Sequence, residues 1–317
     1  MRQLTSLAIA ALLAVAAACG TVRTDSHSEA ARPTIPMPTM AETRPADLPG
    51  LHNVVRYADN LLTGAQPEGE VAFETLAGLG VKTIISVDGA KPAVELAAKH
   101  GLRYVHLPIG YDGISPERKA ELARAVQELP GPVYMHCHHG KHRSAGAGAA
   151  VAMALGLTDS ATLVERMKLS GTAANYKGMW ACATETPRLS AAELAKASNE
   201  FPSVYKTSGM VDGMVAIDVE NDHVKGIEKA GWKTAEDHPD MFPAKASAGL
   251  ERALRAMVDD GETKAKDEEF RRLLLASADA AKALDDAVKA GQGAEELSAL
   301  FKKVGQSCKD CHTKYRD

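Results

Sequence analysis

The chain has 317 residues, of which 45% are hydrophobic, 25% are charged and only 4% are aromatic. This length suffices for two domains, and the composition excludes a wholly disordered protein, a collagen-like protein and a polytopic membrane protein. The formal net charge of −4 argues against a charge-driven grip on nucleic acid, so we expect no nucleic-acid partner.

Residues 1–19 have the pattern of an export signal. A short positive start precedes an apolar stretch at 4–18, which is too short to span a bilayer comfortably. The small residues before Cys19 resemble a bacterial lipoprotein signal, in which Cys19 would be lipidated and would anchor the protein to a membrane. Ordinary signal cleavage, which gives a soluble product, is the alternative. The proline-rich, polar segment 20–50 that follows is predicted to be a flexible linker.

Strands and helices alternate in the segment 51–189. Apolar runs and their glycine and proline boundaries predict, in chain order, a helix at 70–79, a strand at 81–87, a helix at 93–100, a strand at 102–107, a helix at 116–129 and a strand at 132–136. Such alternation is typical of an α/β domain with a mainly parallel central sheet.

The loop after the last of these strands carries the residues for a chemical reaction. Cys137 and Arg143 are separated by five residues and lie between a strand and an Ala- and Gly-rich helix at 145–155. The loop amides and the helix N-terminus would gather an anion, and the same field would favour a Cys137 thiolate that can attack phosphorus. Arg143 offers a planar fork for two phosphate oxygens. Ser144 can donate a hydrogen bond to the sulfur when it leaves.

This segment resembles the cysteine-dependent protein tyrosine/dual-specificity phosphatase superfamily over about residues 51–180. Cys137, Gly140, Arg143 and Ser144 match the family's His-Cys-x2-Gly-x2-Arg-Ser/Thr pattern. A coincidental or inactive loop of the same spacing is the alternative, and the strand before and the helix after the loop argue against it.

The resemblance also implies a general acid, which protonates the leaving oxygen. Family members carry this aspartate on a loop between the preceding strand and helix, and Asp112 occupies that place here. Asp88, after an earlier strand, is the second choice, and a turn or helix-cap role is the alternative for Asp112. A rhodanese-like sulfur transferase would use the same loop without an acid, so Asp112 favours phosphate chemistry. Cys182 is expected to be buried and inert, with no assigned role.

Basic side chains crowd the loop. These side chains belong to His138, His139, Lys141 and His142. Together with Gly140 they are expected to bind the substrate. The first interpretation is a site for an anionic substrate, which could carry several phosphates. Side chains that merely face solvent are the second. Metal capture by the histidines is the third, and it lacks partner ligands at a diagnostic spacing.

The segment 190–317 contains no convincing strand. Amphipathic stretches predict helices at about 203–230, 244–258, 266–290 and from 294 to the end. Four such helices with short connections predict an antiparallel four-helix bundle.

The last of these helices carries the spacing that attaches a c-type haem. Cys308, Cys311 and His312 form Cys-x-x-Cys-His, in which two sulfurs one turn apart reach the haem vinyl groups and the histidine is the iron ligand. A thioredoxin-like redox pair would follow a strand, and a zinc site would need a second ligand pair. We therefore predict one covalently attached haem.

The helical segment resembles the cytochrome c′/c556 group of class II c-type cytochromes over about residues 201–317. The resemblance places the segment 205–210 at the sixth iron position, with Met210 as the first choice of ligand and Met214, one turn later, as the second. A shielding or packing role for either methionine stays open.

The two parts together predict a bacterial protein that is exported to the periplasm or anchored facing it. We expect a phosphatase that hydrolyses phosphate monoesters through a phosphocysteine intermediate, fused to a haem domain with a redox, electron-transfer or sensing role. Its substrate would be a phosphorylated protein or a small anionic phosphoester, and a redox partner would serve the haem. The alternative is a cytochrome-type electron carrier or haem sensor whose N-terminal domain only binds anions.

Overall fold

The computed structural model describes residues 35–234 and 242–315. The predicted signal at 1–19, with the lipidation site Cys19, lies outside the described residues, as does the first half of the predicted linker. Among the helices of the described ranges, none is both long and apolar enough to cross a bilayer.

A six-stranded mixed sheet forms the centre of the N-terminal part. Its strands are, in chain order, β1 (Ala46–Leu48), β2 (Leu51–Ala58), β3 (Leu61–Gly64), β4 (Thr83–Ser86), β5 (Arg103–His106) and β6 (Val133–His136). They lie in the order β1-β2-β3-β6-β4-β5. The pairs β3–β6, β6–β4 and β4–β5 are parallel, and the first three strands form an antiparallel edge that the sequence did not predict.

Seven helices accompany this sheet. They are α1 (Gly69–Gly78), α2 (Val94–Lys99), α3 (Pro116–Glu128), α4 (Arg143–Leu155), α5 (Ser160–Ser170), α6 (Lys177–Thr184) and α7 (Ala191–Lys196). The start of α3 shows why the chain turns helical there: the Ser115 hydroxyl accepts from the Arg118 amide, and Pro116 needs no hydrogen-bond partner at the first position.

Helix α4 lies close against the sheet because its glycines leave no side chain in the way. A Cβ at Gly148 would lie 2.6 Å from a methyl group of Thr63 on β3, and one at Gly146 would lie 2.8 Å from the Met179 sulfur on α6. This close packing holds α4 against β3 and α6.

The C-terminal segment is helical, as predicted. It contains α8 (Gly209–Lys229), α9 (Pro243–Asp259), α10 (Gly261–Lys264), α11 (Glu268–Lys289) and α12 (Ala294–Tyr315). The four long helices share one hydrophobic core, which includes Ile217, Leu250, Leu274 and Phe301. We call residues 209–315 the helical segment.

Helix α8 begins at Gly209, later than the predicted start near residue 203. Its first turn is capped by the Ser208 hydroxyl, which accepts from the Val211 amide. The residues before the cap bind β5 instead: the His106 amide donates to the Pro202 carbonyl at 2.8 Å, and the Tyr205 amide donates to His106 Nδ1 at 3.0 Å. These bonds hold residues 202–205 against β5, ahead of the helix.

Candidate functional site

The loop at residues 137–142, here called the Cys137 loop, connects β6 to α4. Cys137 is 4% exposed, and its sulfur lies 3.4 Å from the Ser144 hydroxyl oxygen in the first turn of α4. Ser144 is fully buried and donates in turn to the Gly64 carbonyl at 3.3 Å. The predicted nucleophile and its predicted hydrogen-bond partner are therefore in contact.

Donors outside the loop hold its carbonyl groups. The Gln66 amide donates to the His138 carbonyl at 3.1 Å, the Asn53 side chain to the Gly140 carbonyl at 3.0 Å, and the Thr172 hydroxyl to the Lys141 carbonyl at 2.6 Å. A trans peptide directs its N–H away from its own carbonyl oxygen. The amides that follow these three carbonyls consequently point to the inner side of the loop, where they can donate to an anion.

Glycine is required at position 140. Its φ angle is +72°, a left-handed conformation that side chains disfavour. A Cβ there would also lie 2.4 Å from the backbone carbon of Gly64. The glycine of the Cys-x2-Gly-x2-Arg pattern thus lets the loop approach the end of β3.

Arg143 is nearly buried and is paired with Asp88. One oxygen of Asp88, Oδ2, accepts from Arg143 Nη2 at 2.7 Å and from the His138 amide at 2.6 Å. Burial of Asp88 is the largest single effect and opposes its charge, but the Arg143 guanidinium and the hydrogen bonds from the Ala90 and His138 amides together keep the pKa of Asp88 below its ordinary value. Burial likewise opposes the charge of Arg143, and the Asp88 carboxylate raises the pKa of Arg143 nonetheless. A carboxylate thus occupies two donors that an oxyanion would use.

Asp112 is exposed. The ring of Tyr111, the residue before it, lies 4.6 Å from the Arg143 guanidinium carbon and 5.2 Å from the Tyr176 ring. The sequence ranked Asp112 before Asp88, and the structure brings Asp88 into direct contact with the loop. The role of Asp112 as the acid stays a prediction.

The basic side chains of the loop face different neighbours. His138 Nε2 lies 2.8 Å from Asp222 Oδ2, and His139 Nε2 lies 3.6 Å from the same oxygen. The His142 ring lies 4.5 Å from the Tyr176 ring, whereas Lys141 is exposed. Beside the loop lies a cavity of about 500 Å³, lined among others by His52, Gln66, His138, His139, Lys141 and Asp222.

Asp222 belongs to α8, and that helix contacts both parts of the protein. A Cβ at Gly89, just after β4, would lie 2.6 Å from Val211 and 3.4 Å from Val215. Asp222 lies on the same side of α8 as Val211 and Val215, and its carboxylate contacts His138 of the Cys137 loop. Met210 and Met214 pack against the core of the helical segment instead. One helix therefore connects the Cys137 loop to the core next to the predicted haem.

The predicted haem ligands have the donor chemistry that a c-type haem needs. Cys308 and Cys311 are free thiols on α12, and both pack against the same core as Met210 and Met214. Burial raises the pKa of both thiols. His312 follows in the last turn with an exposed side chain. Two thiols and a thioether on a shared core, with an imidazole next to Cys311 in the chain, fit the group that the sequence implies.

Sequence reasoning missed Asn53 and Asp222. Asn53 has a φ of +55° inside β2, a conformation that asparagine tolerates better than most residues, and its side chain bonds both Gly140 and Ser170. A positive φ leaves no mark in a single sequence. Asp222 is 84 residues from His138, so only the folded chain brings them together.

A family model matches the C-terminal part of the chain, and solved structures resemble the N-terminal part. Residues 192–316 match the family model described as cytochrome C′. No curated protein matches the chain. The match to the cytochrome C′ family model implies a haem cofactor.

Several solved phosphatase structures are similar to the N-terminal part. A phosphatase of the DUF442 group from Shewanella putrefaciens CN-32 has 19% identity and a TM-score of 0.37, over 44% of this chain and 96% of that chain. TpbA of P. aeruginosa has 24% identity and a TM-score of 0.39, over 44% and 88%. The catalytic core of a PP-IP phosphatase from S. cerevisiae has 12% identity and a TM-score of 0.38, over 44% and 88%.

These identities and TM-scores are too low to carry an argument, so the interpretation of the N-terminal part depends on the loop geometry given above. The C-terminal segment matches the cytochrome C′ family model, as the motif from Cys308 to His312 predicted, and the N-terminal part is similar to the solved phosphatase structures named above.

Proposed function

We propose that this protein is an exported phosphatase that hydrolyses phosphate monoesters through a phosphocysteine intermediate and carries a haem domain. The observation that carries the proposal is the Cys137 loop itself. A buried cysteine and a buried arginine flank amides that point to the inner side of the loop. This arrangement can hold a tetrahedral oxyanion with its phosphorus facing the sulfur.

In the first step the Cys137 thiolate attacks phosphorus, the S–P bond forms, and the bond to the ester oxygen breaks. Asp112 gives its proton to that leaving oxygen. Arg143 binds two phosphoryl oxygens through its planar fork, and the inward amides bind the others. Asp88 must share or release Arg143 and the His138 amide when the phosphate enters.

In the second step a water molecule attacks phosphorus and passes a proton to Asp112, which is now a carboxylate. The S–P bond breaks and phosphate leaves. Ser144 turns its hydroxyl from Gly64 to the departing sulfur, a move that the 3.4 Å separation permits. The enzyme returns to its starting protonation state, so atoms and protons balance over the cycle.

The basic loop favours a phosphorylated protein or a small anionic phosphoester as substrate. The test panel should include phosphotyrosine, which accompanies TpbA in one solved structure, and an inositol pyrophosphate, the substrate class named for the yeast enzyme. Lys141 is exposed and lines the cavity, where it can meet a second phosphate.

The helical segment would hold one haem through thioether bonds to Cys308 and Cys311, and His312 and Met210, or else Met214, would be its candidate iron ligands. When bound, the haem supplies one-electron redox chemistry and a site for small ligands. Helix α8 offers a physical route from this group to the Cys137 loop. Equal phosphatase rates with ferric, ferrous and CO-bound haem would refute such coupling.

The location of the protein follows from the proposed export. Haem attachment through Cys-x-x-Cys-His and the pattern of residues 1–19 both favour the periplasmic side of a bacterial membrane, with Cys19 as the lipid anchor. A lipidated, membrane-associated form after expression in a bacterium would support the anchor. A Cys19→Ala variant that remains in the membrane fraction would contradict it.

The deciding assay uses the full chain, loaded with haem in a host with a maturation system, and a generic aryl phosphate under controlled thiol reductant. We expect Cys137→Ser to lose turnover. Cys182→Ser is the matched control, because the buried Cys182 thiol donates to the Gly178 carbonyl and burial raises its pKa to about 11. Turnover that survives in Cys137→Ser would refute the proposal.

A second candidate function is an electron carrier or haem sensor whose N-terminal part only binds anions. The match of residues 192–316 to the cytochrome C′ family model favours it. Phosphate binding without turnover, under conditions that keep Cys137 reduced, would support this second candidate.

A further inference from the structure

Three metal-ligating side chains meet where the Cys137 loop contacts α8. They are His138 and His139 of the loop and Asp222 of the helix. The two Nε2 atoms lie 2.8 and 3.6 Å from Asp222 Oδ2, and the three ligand atoms all lie within 4.8 Å of one another. The catalytic scheme above assigns Asp222 no role.

These separations suit a single small cation. A tetrahedral zinc ion with bonds of about 2.0–2.1 Å has ligand atoms about 3.4 Å apart. The two measured distances to Asp222 Oδ2 lie on either side of that value, so small rotations of the histidine side chains would complete the geometry. Two imidazoles and one carboxylate favour zinc-class transition metals over calcium or magnesium, which prefer oxygen ligands.

The supporting contacts prepare the ligands. The backbone of His138 is held at both ends, because its amide donates to Asp88 and its carbonyl accepts from Gln66. Lys225 donates to the other oxygen of Asp222, Oδ1, at 2.7 Å and leaves Oδ2 for the histidines. Contacts of this kind around a site orient its ligands.

The site is accessible to solvent on one side. The side chains of His138 and Asp222 are 24% and 31% exposed, and His139 is 55% exposed. All three line the cavity of about 500 Å³ beside the loop. A cation could enter through this cavity and keep a water molecule in its fourth position.

We infer that His138, His139 and Asp222 form a binding site for a divalent metal of the zinc class, which ties the Cys137 loop to α8. The ion pair seen between Asp222 and His138 is then the metal-free form of the site. Metal binding displaces any proton from the two Nε2 atoms and involves no change of oxidation state.

The test measures zinc bound to the full, haem-loaded chain after equilibrium dialysis against chelator-buffered zinc, with metal content determined by mass spectrometry. We expect about one zinc ion per chain. In Asp222→Asn and in His139→Ala the affinity should fall by about tenfold or more. Unchanged haem absorption and circular dichroism will show that each variant is folded, and exposed His139 is the substitution least able to disturb the fold.

His223→Ala is the matched control. His223 lies on the same helix and pairs with Glu220 at 3.2 Å. Within the described ranges, this pair is not part of any group of three possible metal ligands. Its removal should leave zinc binding unchanged.

Two other thiol sites could capture zinc, and the design separates them. Haem loading occupies Cys308 and Cys311, and a Cys137→Ser variant removes the nucleophile. Zinc binding that persists in Asp222→Asn and His139→Ala, or that disappears in Cys137→Ser, would overturn the inference. The measurement involves no phosphate turnover, so its outcome is independent of the proposed phosphatase activity.

Discussion

The Asp88–Arg143 pair makes a specific prediction about stability and anion binding. Replacing Asp88 by asparagine keeps the size of the side chain and an oxygen that can accept from the His138 amide, but it removes the charge that faces Arg143. The guanidinium then stays in a nearly buried position without its partner. We expect the Asp88→Asn variant to be less stable and to gain more from a bound oxyanion than the natural protein gains.

The magnitude follows from burial. The side chains of Asp88 and Arg143 are 5% and 11% exposed. Removing one partner of a buried ion pair costs about 3–5 kcal/mol. The hydrogen bond that asparagine retains places the expected loss near 3 kcal/mol, which corresponds to a fall in Tm of about 6–12 °C for a domain of this size.

An oxyanion in the Cys137 loop should replace the missing charge. At a concentration of about 100 times its Kd, tungstate or phosphate would stabilise the variant by about 2.7 kcal/mol, close to the expected loss. In the natural protein the Asp88 carboxylate opposes the anion, so the gain from the same concentration should be smaller.

Thermal unfolding with and without tungstate measures both quantities. Asp59→Asn is the matched control, because the Asp59 side chain is fully exposed and pairs with Arg56 at 3.5 Å. Exposed pairs of this kind contribute at most about 1 kcal/mol, so we expect little change in its Tm. The reasoning would be refuted if the Tm of Asp88→Asn fell no further than that of Asp59→Asn, or if tungstate stabilised the natural protein as much as the variant.

Three further predictions concern the acid, the loop and a buried histidine. Asp112→Asn should lower kcat by about 100-fold or more for substrates with a poor leaving group and much less for an activated aryl phosphate, and an equal fall for both would contradict its role as acid. Gly140→Ala should abolish phosphate binding and lower the free energy of unfolding by more than about 3 kcal/mol, because the added Cβ would meet the backbone of Gly64. Gly80→Ala is its control: Gly80 also has a positive φ, +81°, but open space around it, so denaturant unfolding should show a loss of only about 1–2 kcal/mol. His106 is buried with Nε2 donating to the Asp88 carbonyl at 2.7 Å and Nδ1 accepting from Tyr205, and burial lowers its pKa, so it folds as the neutral form. The unfolded chain takes up the proton first as pH falls below about 6.5; stability should therefore drop between about pH 7 and 5, and His106→Asn should flatten that dependence in urea titrations.

The features that the sequence predicted correctly depend on short, contiguous stretches. The loop from Cys137 to Arg143 and the motif from Cys308 to His312 each need only local backbone geometry, which residue type and spacing dictate. The helices α1 to α4 also follow from local apolar periodicity and capping residues such as Ser115.

The features that the sequence could not predict depend on contacts between distant residues. β2 escaped prediction because its buried residues do not alternate: Val54 and Val55 are adjacent and both buried, as are Tyr57 and Ala58. Both Asp88 and Asp112 follow a strand, and only the folded chain shows that Asp88 reaches Arg143. Asp222 lies in an ordinary amphipathic helix, and nothing in its neighbourhood indicates that it meets the Cys137 loop.

The central claim is that Cys137 attacks phosphorus. The most direct test mixes the haem-loaded chain with an aryl phosphate, quenches the mixture in acid within one turnover, and analyses the peptide that contains Cys137 by mass spectrometry. The account predicts a phosphoryl group on the Cys137 sulfur, absent in Cys137→Ser and prolonged in Asp112→Asn. Sustained hydrolysis with no phosphorylated Cys137 at any quench time would contradict it.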